Sequence, residues 1–260
     1  MNILCCFKIV NDFDLIMERD WDAAGDGGVD LSYSKKLINC YDEAGLAAAL
    51  RIKADAESHG DHASITAVTL GNGSFEGFFK NLFALGVERI IQIKAENLSP
   101  FAPKKTAEIL FEATKDSRFD LIICGKQSAD GANGLVPYLL AKLFSLPCIG
   151  SVRELSLENG AITALCDFGE GQCKKTVRAP AVFALGDSTK PYLPLATLKR
   201  KLAAANMSAE IIELSKDLQN QNPPPILRRE KSQRHCVFIE GETCAEQAKK
   251  LLQLHPEVRP

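Results

Sequence analysis

The chain has 260 residues, 46% of them hydrophobic and 25% charged, and a net charge of -2. This is the composition of an ordinary globular protein with enough apolar material for a sizeable core. The lack of a basic excess argues against a general nucleic-acid binder, and no apolar run approaches the roughly 20 residues of a membrane span, so the expected location is cytoplasmic.

Nine cysteines stand at positions 5, 6, 40, 124, 148, 166, 173, 236 and 244. Their number is odd, none are spaced C-x-x-C, and several sit in apolar runs. Those in apolar runs read as small buried hydrophobes. Neither a disulfide framework nor a zinc site is supported.

Residues 2–9 are mostly apolar and predict a central first strand rather than a signal peptide, because Lys8 interrupts a run that has no basic leader. A long polar stretch follows, Asn11 to Ser34, with Asp20-Trp21-Asp22 and Gly25-Asp26-Gly27-Gly28. A loop of this length is functional or flexible. Asn39-Cys40-Tyr41-Asp42-Glu43 opens a helix, with Asn39 or Asp42 as its cap. Ser64–Leu70 is the second strand and ends in Gly71-Asn72-Gly73. Ser74 is placed to cap the next helix. There Phe75, Phe78, Phe79, Leu82 and Phe83 fall on one face as core, and Gly86 suits the stop.

Arg89–Ile93 is a strand, and Pro103 starts a helix that runs to Lys115. Phe119–Cys124 is a further strand. It leads into Gly125-Lys126-Gln127-Ser128-Ala129-Asp130-Gly131-Ala132-Asn133-Gly134, and a helical pattern over Leu135–Phe144 follows. A glycine-bearing turn that opens a helix is a ready anion site, because free N–H groups and the positive end of the helix dipole converge there. By itself the motif is also a common way to reverse the chain. Four alternations of strand and helix predict an α/β fold: a Rossmann-like, doubly wound, mostly parallel sheet.

After Pro147 the pattern changes. Cys148–Leu157, Ala161–Cys166, Cys173–Val177 and Ala181–Leu185 are short and β-rich, and the first three are separated by turns. They predict an antiparallel extension of the sheet. Leu198-Lys199-Arg200-Lys201-Leu202 reads as a solvated helix face. Beyond residue 205 a C-terminal arm is expected. It contains the stiff spacer Asn222-Pro223-Pro224-Pro225 and a last helix from Thr243, with Glu246 in capping-box position.

Catalytic signals are few. His59, His62, His235 and His255 lie in loop or tail contexts and support no Ser–His–Asp arrangement. No G-x-x-x-x-G-K-[ST] and no G-x-G-x-x-G after the first strand are present. Asp12, Asp14, Asp20 and Asp22 do not have EF-hand spacing. What remains is the set of turns at the C-terminal ends of parallel strands, where open α/β sheets bind ligands. Cys6 to Phe13, Leu70-Gly71-Asn72, the turn 125–134 and the segment 39–42 are placed to converge on one nucleotide.

At this point the chain resembles the β subunit of an electron transfer flavoprotein, of the FixA-like group, as a divergent paralogue. The resemblance covers residues 1 to about 205. It rests on Phe7-Lys8-Ile9-Val10-Asn11-Asp12-Phe13, Asn39-Cys40-Tyr41-Asp42-Glu43-Ala44, Ala84-Leu85-Gly86-Val87-Glu88-Arg89, Gly125 to Gly131, Ala179-Pro180-Ala181-Val182 and Pro191-Tyr192-Leu193-Pro194-Leu195. It implies an adenine nucleotide α-hydrolase-like fold, and AMP or the ADP part of a second FAD bound in this subunit. It implies a partner α subunit that carries the redox FAD, and electron shuttling from acyl-CoA dehydrogenase-like flavoenzymes to an acceptor. No catalytic nucleophile of its own is implied.

Position by position, Cys6, Asn39, Cys40, Tyr41, Asp42 and Leu70 match places along the nucleotide or subunit boundary. Gly125, Gln127, Asp130, Gly131, Asn133 and Gly134 match the phosphate turn. Phe13 and Tyr41 match aromatic positions that face the partner's flavin, and Leu195 matches the loop that docks a dehydrogenase. The chain departs from the family pattern at Leu135, where a Gln is usual, at Ala132, at Cys166-Asp167 and at Lys190-Pro191-Tyr192. A stand-alone adenine-nucleotide sensor of the universal-stress type is the second reading. A nucleotide-dependent enzyme of the same superfold is the third.

Overall fold

The computed structural model describes residues 1–17, 20, 31, 33–95, 101–158, 160–214 and 237–255. Trp21, Asp22, the run Gly25–Gly28, Cys236 and the proline spacer 222–225 lie outside the described residues. The chain divides into two units, Met1–Ile226 and Leu227–Pro260.

The first unit is built on a nine-stranded sheet. Its strands are β1 (Asn2–Phe7), β4 (Ser64–Leu70), β5 (Arg89–Lys94), β6 (Leu121–Gly125), β7 (Cys148–Glu158), β8 (Ala161–Phe168), β9 (Gly171–Val177), β10 (Ala181–Leu185) and β11 (Glu210–Glu213). Their order is β11-β5-β4-β1-β6-β10-β7-β8-β9. The strands from β11 to β7 are parallel. Two short strands, β2 (Ile9–Asn11) and β3 (Lys36–Ile38), form a separate antiparallel pair. The 2–9 strand is therefore two strands with a break at Lys8.

Side-chain alternation sorts the central strands between two layers. Ile3, Cys5 and Phe7 of β1, and Leu121 and Ile123 of β6, join one core with α1 (Cys40–Ser58) and α2 (Glu76–Leu85). Leu4, Cys6, Ile122 and Cys124 join the other, with α3 (Pro103–Thr114) and α4 (Val136–Phe144). In the first layer Phe75, Phe79 and Phe83 pack edge to face or against the sheet, as the spacing required. Gly86 ends α2 at φ 110, where its N–H reaches Leu82 and Phe83 carbonyls.

Three expectations are corrected. Ala181–Leu185 does not belong to the antiparallel extension; it inserts between β6 and β7, parallel to both and fully buried. Its unbroken apolar run Ala-Val-Phe-Ala-Leu suits a position covered on both faces. Asn39 holds the N-cap position of α1 but its side chain makes no cap bond, Asp42 lies inside the first turn, and Ser74 does not cap α2, where Phe75 holds the cap position without a side-chain bond. The sheet also continues past residue 205, since β11 pairs with β5 along Glu210–Glu213.

The basic segment is a short exposed helix, α5 (Leu198–Ala203), capped by Thr197. In the second unit α6 (Cys244–Leu254) starts as read. Thr243 Oγ1 accepts from the Glu246 N–H, and Glu246 accepts from the Glu242 N–H. No helix among the described residues is long and apolar enough to cross a membrane.

Candidate functional site

Strand order reverses at β1. The chain goes from β1 to β4 and β5 on one side, and later to β6 and β10 on the other. Such a switch point leaves a crevice beyond the C-terminal strand ends. A cavity of about 400 Å³ lies there. Cys6 and Phe7 line it from β1 with Lys8 just beyond, Leu70 from β4 with Gly71 and Asn72 just beyond, Ala95 beyond β5, and Cys124 and Gly125 from β6. The turn contributes Lys126, Gln127, Ser128, Asp130, Asn133 and Gly134. The first turns of α3 and α4 add Pro103, Thr106, Val136 and Pro137, with Leu110 and Leu135.

Asp42 ties these ends together. Its Oδ2 accepts from the Lys8 N–H at 2.9 Å and from Asn39 Nδ2 at 3.1 Å, and its Oδ1 accepts from the Gly125 N–H at 2.8 Å. A parallel strand leaves its last N–H groups without ladder partners, and a buried donor without an acceptor is costly. One carboxylate thus satisfies the ends of both β1 and β6. Burial pushes the Asp42 carboxyl up to about 7, and the three N–H donors and the Lys8 charge hold it from rising further.

Asn39 clamps the turn. Its Nδ2 donates to the Gln127 carbonyl at 2.8 Å, and its Oδ1 accepts from the Ala129 N–H at 3.1 Å. This is why its side chain makes no cap bond at the start of α1: both ends of the amide are engaged in the turn and with Asp42. Gly125 permits the close approach. A Cβ there would lie 2.4 Å from Asp42 Oδ1 and 3.0 Å from the Asp42 nitrogen.

Lys8 Nζ crosses to Asp130 at 2.6 Å and bridges the β1 end to the turn. Within the turn, the Ser128 carbonyl accepts from Ala132 and Ser128 Oγ from Gly131. Ala132 has a positive φ of 48, and Gly134 one of 63. On the outer side of the turn Lys126 pairs with Asp187 at 2.7 Å and lies 4.6 Å from the Tyr41 ring centre. Its bond to Asp187 raises the Lys126 ammonium pKa and lowers that of the carboxyl. Asn72 and Gln92 brace the β4 turn, through the Ala95 carbonyl and the Gly71 and Gly73 carbonyls.

The model of the electron transfer flavoprotein domain matches residues 29–218. The chain belongs to the electron transfer flavoprotein family. An Escherichia coli (strain K12) protein named "Putative electron transfer flavoprotein subunit YgcR" is 32% identical over 258 residues, 97% of this chain and 96% of its own length. The electron transfer flavoprotein subunit beta of Bacillus subtilis (strain 168) is 30% identical over 226 residues, 84% of this chain and 85% of its own. The chain is thus a β-like electron transfer flavoprotein subunit, and the mostly parallel sheet is that family's Rossmann-like arrangement.

The structure gathers most of the residues that the sequence singled out in this electron transfer flavoprotein subunit. Cys6, Asp42, Leu70, Gly125, Gln127, Asp130, Asn133 and Gly134 are in the cavity wall. Asn39 stands just behind it, buried, and Gly131 is buried within the turn. Cys40 is exposed on the first turn of α1, and Tyr41 is against Lys126 outside the wall. Phe13 is half-buried in a single 3-10 turn, Phe13–Leu15, and is not in the wall either. Leu195 is 98% exposed.

Lys8 and Asn72 lie in segments that the sequence placed around the nucleotide, although neither is among its individual site residues, and Thr106 lies outside those segments. The position of Lys8 right after the first strand is the signal for it. Thr106 and Pro103 were legible only through topology, because a helix that follows a parallel strand begins at the ligand-binding edge. Among the described residues no cluster of three or more His, Cys, Asp or Glu is arranged to hold a metal.

Proposed function

We propose that this chain is the β-type subunit of a heterodimeric electron transfer flavoprotein and that its cavity holds an adenine nucleotide, either AMP or the ADP part of FAD. The observation that carries this reading is the cavity itself: it opens at the switch point and is walled by the turn 125–134 and the first turn of α4. The residues present suit such a ligand. Leu70, Leu110, Val136, Cys6 and Cys124 offer an apolar bed for a purine. The turn and helix start offer N–H groups and dipole to a phosphate. Lys8 offers a cation, and an arriving phosphate competes with Asp130 for it.

In this reading a larger α subunit carries the FAD that supplies the redox chemistry. This chain binds nucleotide, faces that flavin with Phe13 and Tyr41, and presents Leu195 to an acyl-CoA dehydrogenase-like flavoenzyme that donates electrons. It contributes no nucleophile, and it works as a soluble cytoplasmic subunit.

The test is co-purification with a candidate α subunit, followed by release and chromatographic counting of nucleotides. One FAD and one AMP per heterodimer supports an AMP seat here. Two FAD and no AMP supports a flavin's ADP part in the same cavity. A solitary chain that carries ATP overturns the reading in favour of a nucleotide sensor.

A further inference from the structure

Two thiols meet in the floor of the cavity. β1 and β6 are parallel neighbours, with Leu4 beside Ile122 and Cys5 beside Ile123. The same register carried one residue further puts Cys6 beside Cys124. Both side chains point into the layer of α3 and α4, and both line the cavity. Adjacent strands are about 4.8 Å apart, and a disulfide needs Cα atoms roughly 4.4–6.8 Å apart. The adjacent Cys6 side chain and burial push the Cys124 thiol pKa up. Cys5, one residue away, faces the opposite core and is 1% exposed. Both cavity cysteines are free thiols.

We propose that Cys6 and Cys124 form a peroxide-oxidisable dithiol in the cavity floor, a modification site that closes to a disulfide between β1 and β6. The oxidant is a small hydroperoxide, which reduced flavins generate from dioxygen. The Cys6 sulfur attacks the peroxide, becomes a sulfenic acid and releases an alcohol, or water from hydrogen peroxide. The Cys124 thiol then condenses with it and releases water. Two thiols lose two electrons and two protons, and the peroxide O–O bond takes up both. Cys6 is the first sulfur to react because it is the more exposed of the two, 8% against 4% for Cys124, and Cys124 is the resolving thiol.

The oxidation is coupled to whatever occupies the cavity. A ligand seated on the floor blocks the peroxide, and a disulfide stiffens the floor and removes its S–H donors. By linkage each opposes the other. This coupling, unlike the dithiol itself, rests on the nucleotide reading above.

The experiment uses the full chain, reduced, freed of reductant and treated with hydrogen peroxide. It is then alkylated and digested with trypsin without reduction. The expected product links the peptide Met1–Lys8 to Phe119–Lys126, with an intact mass lower by about 2 Da and reversal by dithiothreitol. Cys5→Ser keeps the link and Cys6→Ser abolishes it. Cys124→Ser leaves Cys6 as a sulfenic acid that dimedone labels. Unlinked, alkylated peptides at peroxide levels that oxidise the exposed Cys40 overturn the proposal, and so does a link that survives Cys6→Ser. With AMP added, a several-fold slower linkage supports the coupling. A link that forms at an unchanged rate upholds the dithiol and counts against AMP in the cavity.

Discussion

The two halves of the sheet solve the same problem in opposite ways. In the parallel half, β6 and β10 are buried along their whole length, and the work of satisfying strand ends falls on a few polar side chains. In the antiparallel half, β7, β8 and β9 keep one face on the core through Val152, Leu155, Ile162, Ala164 and Cys166, while most of β9 is exposed. Its strands are joined by short turns, so its ends reach water and need no buried polar network. The site grows where strand ends are buried. A parallel sheet makes orphan N–H groups at one edge, and the carboxylate that answers them there also shapes a cavity.

That contrast breaks hardest at glycine. Gly125→Ala forces a Cβ against Asp42 atoms at 2.4 and 3.0 Å, one of them backbone. It is expected to lower the urea-unfolding free energy by about 3 kcal/mol, since overpacking against backbone cannot relax. Gly160, at the β7–β8 turn, has φ 77 and open space around it. Gly160→Ala is expected to cost only about 1 kcal/mol, from the positive φ. Equal losses would show that the buried edge is no more tightly specified than the exposed turn.

Asp42→Asn comes next. One carboxylate oxygen becomes an amide nitrogen facing N–H donors, and the expected loss is about 2 kcal/mol. The pH dependence sharpens the point. The Asp42 carboxyl sits at about 7 in the fold, against about 4 in an unfolded chain. Between these values the folded state holds the extra proton. Its contribution to stability is therefore fully present below about pH 4, falls as pH rises toward 7 and is flat above, with a slope of at most about 1.4 kcal/mol per pH unit. Denaturation midpoints from pH 5 to 8 should show this fall in the parent and not in Asp42→Asn; parallel curves would remove Asp42 as its source.

Smaller effects lie at the rim and in the extension. Ala132 holds φ 48 without being glycine. Ala132→Gly relieves that strain but loosens the unfolded chain, for a net gain of about 0.5 kcal/mol in the melting free energy. Lys174→Ala removes an exposed pair with Glu158 across the antiparallel strands. It should leave the unfolding midpoint unchanged, because exposed ion pairs are screened. A clear loss there would mean that the extension depends on its charges more than on its buried face.

Much of this was legible beforehand. The 3.6-residue phenylalanine stripe, the Gly86 stop, the Thr243 and Glu246 box and the alternation of strand and helix are local signals, and they survive folding because neighbouring residues carry them. Asn39 and Asp42 were legible as polar residues at a helix start, but their use was not. A cap and a long-range clamp ask for the same side chains. Only the arrival of Gly125, Gln127 and Ala129 from 83 to 90 residues away settles which they serve. The place of β10 was likewise hidden, because an apolar run states that a strand is buried and not which neighbours bury it.

By itself, the amino-acid sequence determined the class of fold, most element bounds, the glycine turn and the kinship with electron transfer flavoproteins, all of which depend on short-range pattern or on the order of motifs. Tertiary structure alone decided the strand order, the cavity wall shared by α3 and α4, the Lys8–Asp130 bridge and the meeting of Cys6 with Cys124. These depend on register between strands far apart in the chain, and register follows from how whole faces pack.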